Sequence, residues 1–240
     1  SESGELIGEN TTATGADPSF GVVTLKTYKF SSKVVACPFE LLQDSSIDME
    51  AFIRSRLVTR LGRITNTYFT TGTGSGQPNG IVTAAAAGKV GTTGQTVTVI
   101  YDDLVDLVHS VDPAYRNLGR CKFMMNDSSL KVIRKLKDSS GRPIFMPGYD
   151  GLGGSFPDTL LGYQIQINQD IAVMAANAKS ILFGDFTFYK IRDAMDIQMF
   201  RFDDSAYIKL GQIGFLAWMR SGGNFVDVGG GVKYYQNSAT

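Results

Sequence analysis

The sequence predicts an α+β protein, on three observations. One run, from Ser45 to Ile81, carries an amphipathic helix about twice the usual length. The remaining strand and helix patterns interleave irregularly rather than as regular strand–helix–strand units. The last third is dense in β-branched and aromatic residues broken by glycine, and the 240 residues contain 27 glycines. A chain of this length forms one large domain or two modest ones, and its 43% hydrophobic content allows a sizeable core.

The helix is the spine of the reading. Ser45 and Asp48 have the spacing of a capping box, and Asp48 and Glu50 put negative charge against the first-turn N–H groups. Met49, Ile53, Leu57, Leu61, Ile64 and Tyr68 recur at helical spacing, with Phe52 and Val58 widening the stripe. Arg54, Arg56, Arg60 and Arg63 fall mostly off it and are assigned to a polar face. The pattern predicts a helix over 47–69, with Gly62 the one residue that disfavours it.

The other elements follow in chain order. Residues 1–21 are polar, with a small apolar island at Leu6-Ile7 and a turn at Asp17-Pro18-Ser19. Val22 to Cys37 alternates as one long strand without a clean buried side, the pattern of an arm projecting from the body. Ala84 to Gly94 reads as a loop and Thr96 to Ile100 as a short strand. Asp102-Asp103 supplies helix-start charge to a helix with Leu104, Leu107, Val108 and Val111 on one face, which is expected to pack on a central sheet. A strand at 120–125 leads to a helix at 129–137 capped by Asn126. Met146 to Phe156 reads as a glycine-rich surface loop. Strands are expected at 162–167, 180–183, 188–192, 196–202 and 207–219, with a turn at Asp203-Asp204 and an alternating tail at 226–235.

Little in the chain points to chemistry. Twenty-three basic residues balance 23 acidic ones, which argues against a general nucleic-acid binder but allows a local basic patch. His109 is the only histidine and sits off its helix's apolar stripe, which leaves triads and metal sites short of ligands. Cys37 and Cys121 are isolated and read as buried thiols, consistent with a reducing compartment. The glycine loop 72–76 closes a helix, whereas phosphate loops open one, so a nucleotide site is disfavoured. No catalytic activity, cofactor or metal is therefore expected. No apolar run has the length of a membrane span and no signal peptide is read, so no membrane partner is expected. The start at Ser1 suggests a processed product or a trimmed chain.

Four phrases follow one another along the chain: Phe69, Gly72, Gly74, Gln77, Pro78, Gly80 and Ile81 at the helix exit; Met125-Asn126, then Leu136-Lys137-Asp138 and Gly141-Arg142-Pro143; Leu160-Leu161-Gly162-Tyr163; and Phe183-Gly184-Asp185-Phe186 with Tyr189, Ile191 and Asp193. In this order they resemble the major capsid proteins of tailed bacteriophages, with the Hong Kong phage-type capsid fold. The resemblance implies an extended E-loop, a long spine helix, and peripheral and axial subdomains. It implies residues 1–38 as N-terminal segment and E-loop, 39–95 with 187–240 as peripheral domain, and 96–186 as axial domain. Thr24, Lys26, Tyr28 and Phe30 then become E-loop contacts to a neighbouring subunit.

The implied function is structural. Copies would form pentamers and hexamers of an icosahedral shell around double-stranded DNA, assembled in the bacterial host cytoplasm and ending in the virion capsid of a phage or prophage. Portal, scaffold and protease would be its partners. An encapsulin-like compartment shell housing an enzyme is the alternative, and a ligand-binding α+β domain using the Gly72–Gly80 loop is a third reading. Some relatives weld subunits by a lysine–asparagine bond. No lysine occurs from Ser1 to Leu25 and no Asn or Glu from Ser205 to Gly223, so that bond is expected to be absent. Asp193 is followed by Ala194 where the family commonly has arginine. Relatives carry an N-terminal arm not seen before Ser1, so this form is expected to stay a monomer or small ring rather than close shells efficiently.

Overall fold

Two strands of 14 residues, Tyr189–Phe202 and Gln212–Phe225, run antiparallel and form the backbone of the first of two main sheets. The computed structural model describes residues 22–137, 140–142, 150–151, 154–155, 159–227 and 230–240, with positions 6, 7, 9 and 12 before them. The turn expected at 17–19, the end of the helix at 138–139 and most of the glycine-rich loop at 146–156 lie outside the described residues.

Gln212–Phe225 is the central strand. Tyr189–Phe202 flanks one side, with bulges between Asp193 and Met195 and between Met195 and Gln198. On the other side Tyr28–Ser31 and Val35–Pro38 lie end to end, both antiparallel to it. The expected continuous strand over Val22–Cys37 is thus two short ones. They are separated at Lys33, whose φ of 60° is left-handed. Ser32 bridges the break: its N–H donates to the Ala217 carbonyl at 3.0 Å, and its Oγ accepts from the Ala217 N–H at 2.9 Å. Alternation then puts Phe30, Cys37, Ile213, Phe215 and Ala217 into one core with the spine helix.

That helix spans Met49–Thr71. Its cap is Asp48, whose carboxylate accepts from the Ala51 N–H at 3.0 Å, rather than the expected Ser45. Ser45 instead ends a preceding short helix, Phe39–Asp44, and its Oγ accepts from the Ile47 N–H. Ile53, Leu57 and Leu61 are buried against the sheet, with Ile64 and Tyr68 at the margin. Phe52 and Val58 are exposed, so the apolar stripe is narrower than the periodicity suggested. Thr65 takes the next inward position, and its hydroxyl is satisfied by donating to the Leu61 carbonyl at 2.9 Å.

The second sheet has six strands in the order Ala86–Val90, Val232–Gln236, Lys179–Gly184, Lys122–Met125, Tyr163–Ile167, Thr159–Leu160. Two pairings are parallel and three antiparallel. Helix Tyr101–Ser110 packs Leu104, Leu107 and Val108 into the core of this sheet, joined by Val111 just past its end and by Leu130 and Ile133 of helix Asp127–Arg134.

Three expectations are corrected here. The stretch read as a loop at 84–94 contains the edge strand Ala86–Val90, held by parallel pairing to Val232–Gln236, far along the chain. The strand expected at 96–100 is irregular, with Val99 alone buried in the core. Asp103 is not merely helix-start charge: it is buried, accepts from the Tyr235 hydroxyl at 3.3 Å and lies 3.6 Å from Lys89 Nζ. Two strands of this sheet, Ala86–Val90 and Val232–Gln236, come from outside the 96–186 span.

Two substitutions measure the helix–sheet contact. Leu57, fully buried, should cost about 2–5 kcal/mol when cut to alanine, the range for large-to-small core changes. A Cβ placed on Gly62 would meet nothing within 4 Å, so Gly62→Ala should add about 0.5–1 kcal/mol. Urea unfolding of the subunit checks both.

Candidate functional site

The helix exit forms a closed structural clasp. Thr71 ends the helix, and the chain folds back so that Thr73 pairs with Asn79; the Gly74 N–H donates to the Pro78 carbonyl at 3.1 Å, and the Gly80 N–H to the Gly72 carbonyl at 2.8 Å. A Cβ on Gly72 would stand 2.2 Å from the Pro78 carbonyl oxygen, and one on Gly80 would stand 2.4 Å from the Gly72 nitrogen. Those glycines are needed for backbone packing. The loop is also tied to the long strands. The Asn79 N–H donates to the Gly223 carbonyl at 3.2 Å, Asn79 Nδ2 to Asn224 Oδ1 at 3.0 Å, and the Tyr189 hydroxyl to the Asn79 carbonyl at 2.9 Å. The N–H groups of Gly74 and Gly80 are thus spent inside the clasp and that of Asn79 on the strand, instead of being offered to a phosphate.

The four residues read as neighbour contacts separate. Phe30 is 6% exposed, with its ring 5.8 Å from Tyr68 and 6.4 Å from Phe69, and belongs to the chain's own core. Tyr28 packs at the margin of the same core. Thr24 and Lys26 are exposed, on a segment that lies along the central strand. Asn224 Nδ2 donates to the Thr24 carbonyl at 3.2 Å and Arg220 to Thr27 Oγ1 at 3.3 Å. A Cβ on Gly222 would stand 1.9 Å from the Lys26 carbonyl oxygen, so the glycine permits this approach. The expected projecting arm is therefore laid against the body from residue 24 onward.

The spine-helix arginines also divide. Arg54 pairs with Glu50 at 3.1 Å. Arg56, Arg60 and Arg63 line one groove of about 360 Å³ together with Val35, Phe52, Ile53 and Thr59.

The long strand Tyr189–Phe202 was not singled out as a surface by the sequence. It has a ladder partner on one side only among the described residues, and it exposes Ile191 (54%), Ile197 (40%) and Phe200 (47%) between charged neighbours. A usable signal was present, since charged and apolar residues mix on both faces throughout 190–201. Among the described residues no three His, Cys, Asp or Glu side chains stand close enough to hold a metal, and no helix is long and apolar enough to cross a membrane. His109 is exposed.

The sequence matches the phage capsid family across residues 1–236. The chain belongs to the phage capsid family. Its fold superposes on a chain from the capsid of a native GTA particle, computed with C5 symmetry, with a TM-score of 0.82 and 26% identity, covering 99% of this chain and 81% of that one. The corresponding capsid of an empty GTA particle gives 0.77 and 27% identity, covering 97% and 81%. A chain of Gordonia phage Cozz shares the fold, with a TM-score of 0.69 at 16% identity, covering 99% and 78%. No curated protein matches. This phage capsid protein is a structural major capsid protein, a component of the virion capsid, and the mixed α+β class read from the sequence is the observed one.

The capsid protein's buried titratable groups support its fold. Burial pushes the Cys121 thiol up from 9.0 to about 11, with the Asp185 carboxylate adding to the rise and Arg116 opposing it. Burial also raises the Tyr189 and Tyr235 phenols, the latter further through Asp103. A raised value for a group that ionises to an anion means the folded state disfavours the anion. The associated stability is complete below the unfolded value and lost as pH rises through the folded one. Subunit stability should therefore fall between about pH 9 and 11. Cys121→Ala should flatten the fall in that window, which urea titrations at stepped pH will show.

Proposed function

We propose that copies of this major capsid protein associate as pentamers and hexamers of a closed icosahedral shell that encloses double-stranded DNA, built in the cytoplasm of a bacterial host with portal, scaffold and protease as partners. The observation that carries the assembly reading is the long edge strand. A 14-residue strand whose outer edge has no ladder partner among the described residues, and which exposes three large apolar side chains, is a liability in a solitary subunit. Covered by a neighbour, the same edge is a seam. The fivefold setting of the GTA capsid neighbour supports closed rings of such subunits.

Repetition supplies the strength. Each seam needs only modest affinity, because a tile held by several neighbours dissociates only when all contacts open together. Thr24 and Lys26, exposed beside the central strand, are the residues of the N-terminal limb placed to meet a neighbour, with Tyr28 partly available. Phe30 is excluded by its burial.

Charge on the edge tests this reading. Ile197→Lys with Phe200→Asp should leave subunit stability within about 0.5 kcal/mol, as exposed positions do. The same pair should sharply lower the yield of capsomers and particles, read by light scattering after size exclusion and by electron microscopy. Particles at the wild-type yield would count against the edge as a seam. Nucleic acid inside purified particles supports the DNA-filled shell, whereas a protein cargo would point to an enzyme-housing compartment.

A further inference from the structure

At about 100° per residue, Arg56, Arg60 and Arg63 fall within about 60° of one another on one flank of the spine helix, and Arg54 lies on the opposite flank. The three guanidiniums line one solvent-open groove whose other lining residues include no carboxylate. The Arg56 guanidinium lies 5.5 Å from the centre of the Phe52 ring, while Arg60 and Arg63 make no ion pair among the described residues. The only glutamate on the helix, Glu50, is held by Arg54. In a chain with no net charge, three unneutralised cations four and three residues apart repel one another in the free subunit. An anionic partner relieves that repulsion.

We infer that this groove holds the phosphodiester backbone of duplex DNA, without reading its sequence. The inference rests on the proposed DNA-enclosing shell and assigns the surface that faces the DNA. Guanidinium forks match phosphate oxygens in charge and in geometry. From Arg56 to Arg63 the helix rises about 10.5 Å, close to three phosphate-to-phosphate steps of about 3.4 Å of axis each along one strand. The Thr59 hydroxyl is spent on the Ser55 carbonyl at 2.9 Å, so the polar contacts available are the three cations. The other lining side chains, Val35, Phe52 and Ile53, offer no donor or acceptor to a base edge.

A competing occupant is the acidic stretch of a second copy, where Glu2, Glu5, Glu9 and Asp17 precede the first lysine, Lys26. Its carboxylates are three to eight residues apart, about 10–26 Å in an extended chain, and Gly4 and Gly8 disfavour the helical spacing that would bring them closer. Steps of about 6 and 4.5 Å between the arginines suit the denser charge of a nucleic-acid strand.

The test is the salt dependence of binding to a labelled duplex of about 30 base pairs, followed by anisotropy between about 50 and 300 mM NaCl. The wild-type subunit should show log K falling linearly with log salt. The triple variant Arg56→Gln, Arg60→Gln, Arg63→Gln should reduce the slope by about 2–3 and weaken binding about tenfold or more at low salt. Arg54→Gln should leave the slope unchanged, and the corresponding triple lysine variant should keep it. Unchanged thermal unfolding excludes misfolding. No DNA binding by the wild type, or an equal slope in the triple glutamine variant, overturns the inference. So does a variant that alters self-association in light scattering while binding DNA normally, which assigns the groove to the acidic stretch. Particle formation by the wild type is scored separately, so that failure of the shell reading is distinguished from failure of the groove.

Discussion

Burial of one face of the strand Gln212–Phe225 beneath the spine helix is the contact on which the other elements depend. Ile213, Phe215 and Ala217 meet Ile53, Leu57 and Leu61 there, and the smallest of them, Ala217, leaves room for the helix to come close. The strand is flanked on both sides, so every other piece of the first sheet is positioned by it: Tyr189–Phe202 along one edge, Tyr28–Ser31 and Val35–Pro38 along the other. Gly222 admits the Lys26 backbone and Gly223 accommodates Tyr189, whose hydroxyl would meet a Cβ there at 2.4 Å. Side chains at these two positions would push away the limb and the helix-exit clasp respectively.

Polar contacts at the far end of the helix help to join the second sheet to this unit. Asn66 donates to Asn168 Oδ1 at 3.0 Å and to Asp170, Thr67 donates to Asp170 at 3.0 Å, and Asn168 Nδ2 donates to the Thr70 hydroxyl at 2.9 Å. Beside them runs a groove of about 890 Å³ lined by Gly62, Arg63, Asn66, Asn168 and Asp170. Hydrogen bonds that also have water as a partner are worth little net free energy each. Besides these directional and individually weak contacts, the two sheets share a small apolar cluster, in which Leu182 and Val232 of the second sheet meet Tyr189 and Phe225 of the first around Ile81, while each sheet keeps its own larger core.

The elements legible in the sequence are those whose signal is local. The spine helix announced itself through an unbroken run of helical period, and Leu104, Leu107, Val108 and Val111 through one apolar face; Ile53, Leu57 and Leu61 of the first set and all four of the second are in the cores. Ala86–Val90 was illegible because four of its five residues, two alanines, a glycine and a lysine, disfavour strands and only Val90 favours one; its pairing with Val232–Gln236 makes it a strand. Asp103 does lie in the first turn of its helix, but its buried contacts were illegible for the same reason, since its partner Tyr235 lies 132 residues away. The candidate surface divided along similar lines. Periodicity put the arginines on the polar side of the helix. Their separation into a paired Arg54 and a convergent group of three depended on Glu50 and on the edge strand bearing Val35. Phe30 sits in a stretch that mixes polar and apolar residues, and only the ladder to Trp218 and Met219 fixes which of its faces turns inward.

The two sides of the central strand reflect the demands on a shell subunit. Its inner face is apolar and closed by the helix, which fixes one conformation. Its outer face carries Trp218, with Lys29 Nζ 3.9 Å from the ring centre, beside Phe200, Met195, Gln198 and Arg220. An aromatic held under a cation stays partly solvated and adds little aggregation risk in the free subunit, yet it offers apolar area when a neighbour excludes water. The same compromise recurs on Tyr189–Phe202, where Ile191, Ile197 and Phe200 are spaced out by Lys190, Arg192, Asp193 and Asp196. A fully apolar edge would associate before the subunit had found its place in a ring, and a fully charged one would not associate at all. On the proposed seam, alternating the two would keep each contact weak enough to be corrected during assembly, while closure would make the sum strong.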